Sequence, residues 1–162
     1  MITTPESGIS PTPTITVLSV SPLADDHTFL SAILMQHERI PCNSSKWKLR
    51  PCATVASALA ALHQFRIPIV VTERDLAPGS WRDLLNNFLL LPDPPVLVVA
   101  SRLADEYLWA EALNLGAYDV LAKPFDAFEV MRVLGSAWRH WTDSHDQARF
   151  RNTQMGVAAG AA

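Results

Sequence analysis

Between residues 15 and 141 the chain alternates short, β-branched apolar runs with helix-length segments, and that alternation constrains its fold more than any other feature. Ile15 to Val20 (ITVLSV), Ile67 to Thr72 (IPIVVT) and Pro95 to Ala100 (PVLVVA) read as buried strands. Trp47 to Ala53 (WKLRPCA) reads as a further strand, placed at an edge because Pro51 has no N–H to give to a ladder. Tyr118 to Ala122 is the last. Helical patterns fill the intervals. Phe29, Leu30, Ile33 and Leu34 follow Asp25 and Asp26, and Thr54 caps an Ala-rich segment from Val55 to Phe65. A turn-rich stretch, Arg74 to Ser80, leads to a helix from Trp81 to about Leu90. Leu103 to Leu115 stops at Gly116, and Asp126 opens a long helix toward His140 or beyond. Strands and helices in strict alternation imply right-handed crossovers and an α/β fold, its parallel sheet covered on both faces. In such sheets function gathers in the loops at the carboxyl ends of the strands.

A chain of 162 residues suits one ordinary domain. With 49% hydrophobic and 18% charged residues it has the material for a buried core and not the composition of a disordered chain. A net charge of −3 gives no general drive toward nucleic acid. No apolar stretch reaches the roughly 18 residues of a membrane span, and no basic segment precedes an apolar run at the N-terminus. A cytoplasmic protein is expected, with neither nucleic acid nor membrane as partner. Cys42 and Cys52 lack metal-ligand spacing and are expected as reduced thiols, a disulfide between them being the alternative. Residues 1–14, rich in Thr, Ser and Pro, are expected as a flexible arm and 15–145 as the domain. Residues 146–162 are expected as a C-terminal tail whose end is frayed or weakly helical. His27, His37, His63, His140 and His145 show no metal-binding spacing. There is no Gly-rich phosphate cradle and no nucleophile elbow. Neither catalysis, nor a cofactor, nor a metal is expected.

The segment Gly116 to Phe125 (GAYDVLAKPF) strongly resembles the fifth-strand signature of response-regulator receiver domains, and the register extends over about Thr14 to Trp141. The resemblance implies a flavodoxin-like, five-stranded parallel sheet of order 2-1-3-4-5. It also makes Lys123 the site lysine, with a cis bond to Pro124, which is otherwise uncommon. Members of this family take a phosphoryl group from a histidine kinase onto an aspartate at the end of the third strand. Mg²⁺ is held by that aspartate and by acids after the first strand. A hydroxyl after the fourth strand and an aromatic on the fifth complete the pattern.

This sequence departs from the family at nearly every such position. The acidic pair falls on Ser21 and Pro22, the phosphoacceptor on Glu73, the hydroxyl on Ala100 with Ser101 one residue later, and the aromatic on Val120, two residues after Tyr118. Shifting the register by two puts Asp75 at the acceptor position, but well past the apolar strand. Glu73 is placed to form a fixed ion pair with Lys123. Asp25 and Asp26 read as helix-terminal acids that complement the dipole, and Asp75 as a turn residue beside Pro78-Gly79. In the family, the face of the fourth helix, fifth strand and fifth helix binds a protein partner or a second copy. Trp109, Tyr118, Trp138 and Trp141 are the candidates there, because exposed tryptophans anchor interfaces. The expected function is that of a stand-alone receiver acting in signal transduction by phosphorylation-independent contact. The alternative is a receiver phosphorylated by a histidine kinase at Glu73 or Asp75. A third reading reuses the emptied pocket for a small ligand.

Overall fold

A run such as Val96–Ser101 has no polar face to offer water, so it needs cover on both sides, and a parallel sheet between two helical layers supplies it. The computed structural model describes residues 12–38 and 45–159, with side chains as far as Arg151. In chain order its elements are β1 (Thr14–Val20), α1 (Ala24–Glu38), β2 (Lys46–Cys52), α2 (Val55–Gln64) and β3 (Ile69–Glu73). They continue as α3 (Trp81–Phe88), β4 (Val96–Ser101), α4 (Glu106–Leu115), β5 (Asp119–Ala122) and α5 (Ala127–Ala159). Every pairing is parallel and the strand order is β2-β1-β3-β4-β5, the flavodoxin-like arrangement. Residues 1–11 of the expected arm, and Cys42, lie outside the described residues. Cys52 ends β2 as a half-buried thiol.

The two-residue period of the strands divides the core. Leu18, Val20, Val70, Val99 and Val120 face α2, α3 and α4, where Trp81, Leu84, Leu108 and Ala112 meet them. Ile15, Val17, Val71, Val98 and Leu121 face α1 and α5, against Leu30, Leu34, Val130 and Leu134. β2 is an edge strand, as Pro51 requires, and its exposed Lys46 and Lys48 guard that edge.

Helix ends follow local chemistry. Thr54 accepts the Ser57 N–H at 3.1 Å to open α2. Asp105 accepts the Leu108 N–H at 2.9 Å, so α4 starts after this cap and not at Leu103. Gly116, with φ of 106°, closes α4 in the left-handed conformation. Asp126 accepts the Glu129 N–H at 2.8 Å ahead of α5. This last helix continues through Ala159, across most of the stretch expected as a tail. No proline interrupts it, and Gly156 is the first glycine after Gly135. Among the described residues no helix is long and apolar enough to cross a membrane.

Candidate functional site

β1 and β3 lie side by side at the centre of the sheet, so their carboxyl ends and the first turn of α1 converge. Glu73, the last residue of β3, is in register with Ala100 of β4, while Ser101 pairs with Ala122 of β5. One residue beyond β5, the Lys123 N–H donates to the Ser101 carbonyl at 2.9 Å, and the Lys123–Pro124 bond is cis. From there the lysine reaches back across the sheet. Its ammonium donates to Asp26 Oδ2 at 2.5 Å and to Glu73 Oε2.

The three charged side chains are almost fully enclosed: 5% exposed for Lys123, 10% for Asp26 and 13% for Glu73. Further bonds hold each carboxylate. Glu73 Oε1 accepts the Arg74 N–H at 3.0 Å, and Asp26 Oδ2 accepts the Ser21 hydroxyl at 2.5 Å. Ser21 Oγ accepts in turn from the Leu23 N–H at 3.1 Å. Beneath this cluster His27 bridges Ser21 and Ser19, its Nε2 at 3.1 Å from the Ser21 carbonyl and its Nδ1 at 2.8 Å from Ser19 Oγ. A carbonyl only accepts, so Nε2 bears the proton, and in the neutral ring Nδ1 accepts from the Ser19 hydroxyl.

The structure brings together Ser21, Glu73 and Lys123, and it adds Asp26. The reading of Asp26 as only a helix-terminal acid is therefore corrected: its carboxylate closes the cluster. The first turn of α1 lies over the end of β1, which brings the Asp26 carboxylate to the Ser21 hydroxyl and the Lys123 ammonium. The adjacent Asp25 points out to solvent. Asp75 does not join; its side chain is 85% exposed and lies 3.8 Å from Arg74. Ala100 is buried in the layer under α1 and α5, and the Ser101 hydroxyl accepts from the Leu103 N–H at 3.1 Å. Pro22 is exposed on the rim of an open groove of about 640 Å³ beside the cluster, together with Leu23, Phe29, Arg102 and Phe125.

A magnesium ion does not suit this donor set. Mg²⁺ requires near-octahedral oxygen ligation at about 2.0–2.1 Å. The two available carboxylates, Asp26 and Glu73, are both bound to the same fixed ammonium. Among the described residues no group of three His, Cys, Asp or Glu side chains converges on a metal position.

Of the four candidate contact residues Trp141 is buried, and Trp109, Tyr118 and Trp138 are half-buried. Trp141 is 5% exposed, its indole N–H donating to the Pro94 carbonyl at 3.2 Å with Arg66 stacked over its ring. Trp138 stacks on Trp141 and packs with Tyr118 against the core under α5, and Trp109 packs against the opposite core. The large exposed apolar side chains among the described residues include Tyr107, Phe128, Phe150, Met35, Phe29 and Phe65, with several leucines.

No protein-family model matches the sequence, and neither does any curated protein. Solved structures do match in fold. One is the signal receiver domain of an HD domain-containing protein from Pseudomonas fluorescens Pf-5, with 20% identity and a TM-score of 0.69 over 82% of this chain and 92% of that one. Another is the receiver domain of the Francisella response regulator 1452, with 17% identity and a TM-score of 0.65 over 78% and 98%. A third is the chemotaxis response regulator CheY4 of Vibrio cholerae, with 14% identity and a TM-score of 0.65 over 76% and 98%. The chain has the fold of response-regulator receiver domains.

Proposed function

We propose that this chain is a signalling receiver that acts by contact with a protein partner and is not switched by phosphorylation. One observation carries the reading: Lys123 spans Glu73 and Asp26, so the two enclosed carboxylates already share a counter-charge from the chain itself. Phosphoryl transfer is almost wholly positioning and charge neutralisation around the transferred group. Here both oxygens of Glu73 are engaged, one by Lys123 and one by the Arg74 N–H. The cluster of two carboxylates and one ammonium holds the ends of β3 and β5 and the start of α1 in a single arrangement. The fold supports a place in two-component signalling, and the enclosed cluster favours contact over group transfer.

The test is the intact mass of the purified chain after incubation with Mg²⁺ and a small acyl phosphate donor, beside an ordinary receiver. The expected result is no shift for this chain and a stoichiometric phosphoryl shift for the control. A stoichiometric shift that disappears in Glu73→Gln or in Asp75→Asn would sink the proposal and make this a phosphorylated receiver with an unusual acceptor.

A further inference from the structure

Helix α5 is 33 residues long, about 50 Å at 1.5 Å per residue. Its inner side is occupied: Val130, Val133, Leu134, Ala137 and Trp141 are buried. The side opposite them carries Phe128, Arg132, Arg139, Asp143, Asp146 and Phe150, whose spacings of three, four or seven residues keep them on one helical face. All six are exposed, Phe128 to 81% and Phe150 to 72%. From Asp146 to Arg151 every side chain is exposed, and the helix still continues to Ala159. Isolated helices of that length are marginal in water.

The order of residues along this face is self-complementary. A phenylalanine stands at each end, arginines occupy the amino half and aspartates the carboxyl half. In an antiparallel pair of such helices with its two-fold axis at Arg139, Phe128 meets the partner's Phe150. Arg132 then meets the partner's Asp146. The two Arg139 side chains approach on the axis, each flanked one turn away by an Asp143 carboxylate. Gly135, on the same side of the helix, falls opposite the partner's Asp143. A Cβ added at Gly135 would meet nothing within 4 Å, so no contact inside the domain calls for this mid-helix glycine. Helix backbones approach most closely at a glycine. None of the ion pairs among the described residues uses Arg132, Asp143 or Asp146.

We infer that the partner is a second copy of this chain, joined through the outer face of α5 in an antiparallel two-fold pair. This names the partner for the contact-based function proposed above and rests on that reading. The contact is isologous, so each Arg132–Asp146 pairing occurs twice. It uses the outer ridge of α5, and not α4 or β5.

The experiment is light-scattering mass across a concentration series of the full chain. The expected mass is twice 17.8 kDa. Arg132→Glu or Asp146→Arg alone sets like charges against each other twice and weakens dimerisation about tenfold or more. The double variant Arg132→Glu/Asp146→Arg restores the opposite charges and returns the constant to within about threefold of the original. Phe128→Glu removes one end contact on each side and yields monomer. All these positions are exposed, and circular dichroism checks that each variant remains folded. A monomer at every concentration, a dimer that no variant weakens, or single variants not rescued by the double one would each overturn the inference. Phosphodonor labelling of the same samples reads the functional proposal separately, so the failure of one is distinguishable from the failure of the other.

Discussion

The two ends of the sheet each carry an ion-pair cluster, and they are built on opposite terms. At the carboxyl end Lys123 holds Asp26 and Glu73 with at most 13% of any of these side chains exposed. At the amino end Asp93 holds Arg66 at 2.8 Å and His145 at 2.6 Å, but Arg66 is 58% and Asp93 41% exposed. The second cluster clasps α5 against the loop before β4, with Trp141 as its apolar floor. Water can replace a lost partner there. At the carboxyl end the three side chains are far less exposed, so each depends more on the other two. Enclosure, and not the number of charges, separates the two clusters.

The sharpest way to break this comparison is Lys123→Met, which leaves two enclosed carboxylates without a counter-charge. Removing one partner of a buried ion pair costs about 3–5 kcal/mol, to be read from the midpoint of urea unfolding. A loss below about 1 kcal/mol would show that the carboxyl-end cluster is as soft as the other. A smaller effect is expected for Glu73→Gln. The amide oxygen can still accept from Lys123, and Asp26 remains as the counter-charge, so the loss should be about 1–2 kcal/mol. The gap between these two variants measures how far one ammonium serves two acids. The smallest effect belongs to Asp93→Asn, at about 0.5–1 kcal/mol, as for other exposed pairs. Near 1 M salt the Asp93→Asn difference should nearly vanish, whereas that of Lys123→Met should persist, because screening reaches exposed pairs and not enclosed ones.

Much of the carboxyl-end cluster was legible in the amino-acid sequence. Glu73 and Lys123 stand at the ends of strongly apolar strands, where alternation leaves little freedom of register. Asp26 was not legible. An acid in the first turn of a helix already has a sufficient local reason to be there, and its partner lies 97 residues away. One signal did exist: the first turn of a helix that follows a strand returns over the strand's end. Choosing between Asp25 and Asp26 requires the phase of α1, since one residue of rotation separates an exposed side chain from a buried one. The burial of Trp141 was illegible for a similar reason. Arg66 and Pro94, far off in the chain, cover it.

By itself the sequence determined the alternation of strands and helices, the parallel sheet and the absence of acids at Ser21 and Pro22, directly after β1. Each of these follows from periodicity, or from what occupies a given position. Only the tertiary structure decided that Asp26 turns inward, that Lys123 pairs with two carboxylates, and that α5 turns a charged, phenylalanine-ended face to solvent. These depend on which groups become neighbours and how much water reaches them, and distance along the chain carries neither.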